Sequence, residues 1–497
     1  MDFHNLLENL NQQSFFSDLI IERGIEKESL RVRKDGYISK TVHPETLGSS
    51  YTNPSITTDF AESLIEVVTP TYTTVDELYE KLTTIHFFIN KNLKNEEMLW
   101  PLSMPPKIED ESDIHIATYG KSNMGKLKHV YRKGLAIRYG KTMQCVSGIH
   151  YNFSVSDKSL EQLGYSSQNE KSKAYLNLIR NFKRLFWFVL IEFGNSSVVS
   201  KSFVDGRDND LDELNETDLF KPYATSLRMS DIGYQSKAQK SLNFKYNDLD
   251  EFLSKLRNAI INPYPEFEKL GFKDSNKEYQ QISSGILQIE NELYDCIRPK
   301  RAGKSGERPY QLLKDKGIQY VEVRGIDLNP DEVVGISKEH IKILDLLLIY
   351  CLITPSRKMT DKEKITIEQQ DINAIKSGRN PNLKVLFKNK EISISKARKE
   401  LIKDLEQLAL MFKDQTFMDA IKNIGDFKKN KFNHEISFHD YGILKAKQNS
   451  KIINSFANID LESCEKEASD SLKEFDKINQ EQEISFDHFI KTYNSKI

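Results

Sequence analysis

The chain has 497 residues, 38% of them hydrophobic and 29% charged, and 71 Lys+Arg against 73 Asp+Glu leave a formal net charge of −2. These values fit a soluble globular protein of one large domain or two to three ordinary ones, and they argue against nucleic acid or an anionic membrane as the main partner. Cys145, Cys296, Cys351 and Cys464 stand far apart with no CxxC pair, which disfavours a thiolate zinc site or a disulfide framework and suggests reduced thiols in the cytoplasm.

Residues 1–20 contain Asp2, Glu8 and Asp18 and no continuous apolar run, so no secretory leader is expected. Residues 24–32 (GIEKESLRV) alternate as a strand that puts Glu26, Glu28 and Leu30 on one face. An acidic run follows at Asp59, Glu62 and Glu66. On a helix the three would share a face, whereas Val67, Val68 and Thr69 favour a strand after Ala61. Leu78, Leu82, Ile85 and Ile89 predict an amphipathic helix over 75–92.

Residues 145–155 (CVSGIHYNFSV) read as a strand with His150, Asn152 and Ser154 on one face, and 175–193 read as a helix apolar enough to be buried. Two further strands are expected. One spans 285–294 (GILQIENELY), with Gln288, Glu290 and Glu292 together; the other spans 318–324 (IQYVEVR), with Tyr320, Glu322 and Arg324 together. Later segments are mainly helical: 336–353 after Ser337, and 393–412 with Ser395 as cap and Leu401, Leu405, Leu408 and Leu410 as stripe. The most apolar runs, 185–193 and 343–353, are too short to cross a bilayer.

A half-exposed antiparallel sheet with one wet face would produce the same alternation. Four runs that each present a carboxylate or an imidazole point instead to a concave sheet lining a polar cavity. Asp59 and Glu66, joined by Glu26, Glu28 and Glu322, would offer the oxygen donors that magnesium takes alongside substrate phosphates; a solvated acidic face is the competing account. His150 alone reads as a buried histidine, and in this company as a metal or phosphate contact.

The basic run 297–308 includes Arg298, Lys300 and Gly303-Lys304-Ser305. Arg298 stands where the first glycine of a Walker A loop would be, so the run is not one. Forked or point-charge phosphate contacts and a mobile surface loop both remain open for it. Arg324, on the face of Glu322, is the better phosphate candidate. Tyr131, Arg132 and Leu135, and the run PYATSLRMSDIGY with Arg228 and Tyr234, combine an arginine with tyrosines as an amino-acid carboxylate would require.

Taken together, GIEKESLRV, TTDFAESLIEVVTP, WPLSMP, YRKGL, SGIHYNFS, PYATSLRMSDIGY, LQIENELY, IRPKR and YVEVRGIDLNP, in that order over residues 24–330, resemble the proteobacterial glutamate–cysteine ligases. The resemblance implies an α+β fold shared with glutamine synthetase, in which a curved antiparallel sheet forms a funnel with helices outside. Residues 1–335 would be the catalytic region. Residues 336–497 would form a mainly helical region packed on it and not independent.

It further implies ATP-dependent joining of the L-glutamate γ-carboxylate to the L-cysteine amine through a γ-glutamyl phosphate, the first step of glutathione biosynthesis; a related ligase using another acceptor amine is the alternative. Carried over by motif, Glu26, Asp59, Glu66, Glu322 and His150 would hold more than one Mg2+. Tyr131, Leu135, Arg228, Tyr234 and Tyr294 would line the cysteine pocket. Arg324 and Lys300 would act near phosphate, with Glu28, Asn152 and Arg298 in support. Lys27 stands where the family pattern has Arg, and Ser29 where it has Thr. A cytoplasmic monomer without nucleic-acid or membrane partners, open to feedback by glutathione, completes the expectation.

Overall fold

The computed structural model describes residues 3–233, 236, 238–427, 435–456 and 459–497. Its organising element is a mostly apolar-backed strand, Ile21–Val32 (β1), twelve residues long and central in a seven-stranded sheet. Ile56–Thr58 (β2), Leu64–Val68 (β3), Met98–Leu99 (β4) and Ile149–Val155 (β5) are its early partners. Val198–Ser200 (β6), Asp212–Glu213 (β7) and Asp218–Phe220 (β8) form a separate three-stranded sheet. Ile297–Lys300 (β9) and Tyr320–Ile326 (β10) return to the main one, and Lys384–Phe387 (β11) pairs with Lys390–Ser393 (β12) in a hairpin. The main sheet runs β2-β3-β1-β5-β10-β9, with β4 on the far end of β1; its pairs are antiparallel and it does not close.

Register assigns the two faces. Glu28 lies opposite Glu66, Glu26 opposite His150, and Glu322 between Asn152 and Arg298, so the polar residues of five strands share one side. The other side carries Ile25, Ile65, Ile149, Tyr151, Phe153, Val321 and Val323, all buried. Helix Gln168–Phe193 covers it, with helix Lys338–Ile353 packed alongside. One polar cluster interrupts this apolar layer. Arg23 donates to Asp345 at 2.7 Å and Tyr151 donates to the other Asp345 oxygen at 2.6 Å, pinning β1 and β5 to helix Lys338–Ile353.

The helix Val75–Asn92 forms where its spacing places it, with Leu78, Leu82, Ile85 and Ile89 buried and Thr74 capping Glu77 N. Gln168–Phe193 begins seven residues before the expected start at 175, because Ser167 and Glu170 form a capping box. Ser337 caps Lys338–Ile353 through His340 N. The helix Ile394–Ala409 is capped by Ser393 rather than Ser395 and stops short of 412.

Two expectations are corrected. Residues 285–294 are not a strand: a 3-10 turn at Glu290–Glu292 sits in irregular chain. Its alternation arose because each acid has a buried partner of its own. Arg308 forks to Glu290 at 3.0 and 2.8 Å, while Tyr139 and Arg138 reach Glu292 at 2.8 and 3.3 Å. The β11–β12 hairpin lies inside the region read as helical, its turn made by Lys388 and Asn389 at φ 48° and 62°.

The core over the sheet continues into Leu344, Leu348, Leu401 and Leu405. Among the described residues no helix is long and apolar enough to cross a membrane.

Candidate active site

The polar face of the main sheet forms the floor of a cavity of about 540 Å³. The helix Asn123–Tyr139 makes one wall and the chain from 289 to 309 another. The helix sits close because residue 134 is glycine: a Cβ there would come within 2.1 Å of Gln288 Oε1. Gln288 is itself fixed, donating to Tyr131 O at 3.1 Å and accepting from Ile282 N at 3.1 Å.

The five expected metal residues and the supporting Glu28 share this cavity. Glu26, Glu28, Asp59, Glu66, His150 and Glu322 all line it. His150 Nδ1 is 3.0 Å from Glu26 and its Nε2 is 3.5 Å from Glu28. Asn152 donates to the other Glu26 oxygen at 2.9 Å, and Gly148 N to Glu28 at 2.9 Å. Ligand atoms of Glu26, His150 and Glu322 lie within 4.8 Å of one another. Oxygen donors with one imidazole suit a hard divalent cation such as magnesium.

The carboxylates divide by environment. Burial raises Glu66 well above the ordinary carboxylate range, and Asp59, Glu26 and Glu28 push it the same way, with Arg132 and Lys128 opposing. Burial raises Glu28 as well. For Glu26, burial and Glu322 press upward, but the His150 hydrogen bond and charge, with Lys300, bring it below the ordinary value. Glu322 is buried too, yet Arg298, Lys300 and Arg324 hold it well below. Arg298 Nη2 is 2.7 Å from its carboxylate, Lys300 3.1 Å and Arg324 3.2 Å. Arg324 also approaches His150 Nδ1 at 3.3 Å.

Tyr131, Leu135 and Tyr294 line the same cavity. Arg228 does not. It is buried one layer down, where its Nε donates to Asp327 at 2.8 Å and its Nη2 to the carbonyls of Arg324 and Ile326 at 3.0 and 2.9 Å. It stands directly behind Gly148, whose Cβ would meet its guanidinium carbon at 2.7 Å. Arg228 thus supports the floor from behind Gly148. Tyr234 lies outside the described residues.

The family model for glutamate-cysteine ligase matches residues 5–374. The chain belongs to the glutamate–cysteine ligase family. A glutamate–cysteine ligase of Hahella chejuensis is 46% identical over 365 residues, covering 72% of this chain and 69% of its own. One from Pseudomonas putida is 39% identical over 498 residues, covering 95% and 94%. The crystal structure of glutamate–cysteine ligase from Francisella tularensis in complex with AMP superposes with a TM-score of 0.91 at 32% identity, over 96% of this chain and 98% of that one.

Within this member of the ligase family, Lys128 and Tyr493 escaped the sequence reading, while Arg132 and the run from 303 were singled out there without being placed in this cavity. Lys128 lines the wall beside Arg132, and burial with Arg132 nearby lowers its amine to about 8. Arg132 donates to the Asp59 carbonyl and stacks over Tyr119 at 4.6 Å. The signal was available: Leu127, Lys128, Tyr131, Arg132 and Leu135 recur at three- and four-residue spacing on one helix face. Residues 303–307 and Tyr493 also line the cavity. Tyr493 belongs to the helix Phe486–Asn494, far beyond the segments that carried the resemblance.

Proposed function

We propose that this chain is a cytoplasmic, ATP-dependent glutamate–cysteine ligase that forms γ-glutamylcysteine, the first step of glutathione biosynthesis. The observation that carries the reading is one cavity in which a group of acids faces a group of cations. Glu26, Glu28, Asp59 and Glu66 supply the acids; Arg298, Lys300, Arg324, Lys128 and Arg132 supply the cations. Such a pairing suits a polyanionic nucleotide held through divalent ions.

In the first step a γ-carboxylate oxygen of glutamate attacks the γ-phosphorus of ATP and ADP departs. In the second, the cysteine nitrogen attacks the acyl carbon and phosphate departs. Arg298, Lys300 and Arg324, held by Glu322, present positive charge along the path of the phosphoryl group. Donors fixed before reaction cost no reorganisation during it. Glu26, Asp59, Glu66 and His150, with Glu322, are the magnesium ligands of this proposal. Magnesium, when bound, neutralises charge on the β- and γ-phosphate oxygens. Tyr131, Leu135 and Tyr294 bound the acceptor pocket, which Tyr234 would complete.

The same reading treats the curved sheet as the glutamine synthetase-like funnel, and residues 336–497 as a mainly helical cover on the catalytic region 1–335. The shared core across Leu344 and Leu401 supports that cover as dependent on the rest. Incubating the full chain with ATP, magnesium, glutamate and cysteine, and detecting γ-glutamylcysteine by mass with equal ADP release, tests the activity. ADP release with another amine but not with cysteine would move the chain to the alternative acceptor class.

A further inference from the structure

A second cavity, of about 300 Å³, shares the wall residue Tyr294 with the one described above and is otherwise lined by different residues. Helix Gln168–Phe193 contributes Lys183 and Phe186 to it. Helix Asp361–Ser377 contributes Lys364, Glu368, Asp371 and Ile375, spaced to share one face. Leu242, Phe244 and Leu293 add apolar surface. Its size is at the lower end of small-molecule sites.

Most charged groups along this cavity are already paired. Lys183 is 2.5 Å from Asp295, whose other oxygen accepts from Tyr246 at 2.6 Å, and Lys364 pairs with Glu368. Asp371 is the exception. Its Oδ1 is buried and has no hydrogen-bond partner among the described residues. Burial raises its carboxyl well above the ordinary range; Lys183 opposes, and Asp295 and Glu368 add to the rise. A buried oxygen left unpaired costs free energy that a donor would recover. One such oxygen does not suit a bare divalent ion, which takes six or more oxygen ligands. Beside an apolar wall, with the nearby lysine engaged by Asp295, it suits a cation that brings its own apolar body.

The shared wall gives such a ligand a route to the active site. Tyr294 N donates to Gln239 Oε1 at 2.9 Å, and Gln239 lines the second cavity. The Tyr294 hydroxyl stands 3.5 Å from Gln144 Oε1 in the first. The carbonyl of Leu293 accepts from Arg298 at 3.1 Å. One short run of chain therefore holds a wall of the acceptor pocket and an arginine of the phosphate path while it faces the other cavity.

We propose that the second cavity is a regulatory site for a small organic ammonium with an apolar body, its amine on Asp371 and its body against Phe186, Phe244 and Ile375, acting on the acceptor pocket through Tyr294. The binding stands by itself; the effect on cysteine rests on the ligase reading above.

The test uses the full chain with phenethylamine as probe, and phenethyl alcohol and hydrocinnamate as neutral and anionic probes of similar shape. Calorimetry is expected to show saturable binding of phenethylamine, also with magnesium–ADP and glutamate present, and weaker or no binding of the other two. Asp371→Asn should weaken that binding at least about tenfold, the scale of a charge-assisted hydrogen bond, with basal turnover and thermal midpoint unchanged. Ile372→Trp, which fills the cavity and leaves Asp371 in place, should abolish it, and decides the matter if Asp371→Asn does not fold. Saturating phenethylamine should change the KM for cysteine about fivefold, the low end of couplings between sites, and leave the KM for ATP within about twofold. That effect should reach a plateau. Inhibition that competes with cysteine without a plateau would put the probe in the acceptor pocket and overturn the proposal. So would equal binding of the three probes, binding indifferent to both variants, or an unchanged KM for cysteine with the cavity filled. Wild-type protein that binds phenethylamine as described but forms no γ-glutamylcysteine would defeat the ligase reading and leave the cavity assignment standing.

Discussion

Two groups of carboxylates share one cavity and are balanced in opposite ways. Glu322 on β10 is surrounded by Arg298, Lys300 and Arg324, and its charge is satisfied by the protein alone. Glu66 on β3 faces Asp59, Glu26 and Glu28, and the opposing charges of Arg132 and Lys128 leave it raised. Burial costs both groups the same kind of desolvation, so neighbours decide the outcome. The first is balanced by protein charges before any ion arrives; the second has most to gain when something positive does.

The largest expected effect comes from breaking the satisfied side. Glu322→Ala leaves three cations around an empty position, and loss of a buried partner of this kind costs about 3–5 kcal/mol. Chemical denaturation should show that loss together with loss of turnover; an unchanged midpoint would mean the three cations find other partners. Next comes Glu66→Gln on the unsatisfied side. Turnover should fall about 10²–10³-fold, the scale for one lost electrostatic contact at a transition state. Its thermal midpoint should hold or rise, because a mutually repelling charge has gone. A midpoint that drops would show that Glu66 stabilises the fold after all.

Acid–base behaviour should separate the two sides further. Glu66 and Glu28 are raised in the folded protein, so they favour folding below the ordinary value of 4.5 and that advantage disappears as pH rises through their higher folded values. Metal-free protein should therefore lose thermal stability on this upward path, and magnesium should restore it. Magnesium at a hundred times its Kd corresponds to about 2.7 kcal/mol. Glu322 is lowered, so its contribution is full above 4.5 and is lost as pH falls below that value. Melting curves from acid to neutral pH, with and without magnesium, should show the two slopes; a single magnesium-independent slope would contradict the comparison. The smallest effect is expected for Lys300→Met. Its side chain is a quarter exposed and Arg298 and Arg324 remain, so stability should change by no more than about 1 kcal/mol while KM for ATP rises several-fold.

Much of this was legible in the chain because strands write their two faces at alternate positions. Glu26, Glu66, His150 and Glu322 sit on strands whose alternation is clear, and register then brings them together. Alternation failed at 285–294, where Glu290 and Glu292 point to private partners rather than to a common face. Arg228 could not be told from a ligand-facing arginine, because its partner Asp327 lies about a hundred residues away in sequence. The β11–β12 hairpin hid behind Lys-Asn, a turn that relies on left-handed backbone without glycine. Tyr493 gave no sign at all: one tyrosine on an amphipathic helix looks like any other until the fold shows what it faces.

The missing side chain at Gly134 sets how far the wall helix can stand from the floor. Gln288, tied at both ends of its amide, cannot turn aside for a Cβ at 2.1 Å. A lone methyl group there would work as a wedge, tilting the helix outward about that point and carrying Leu127, Lys128 and Arg132 with it. The gap between cations and acids would widen without any charged residue having changed, and the enzyme would keep its inventory of groups while losing their spacing.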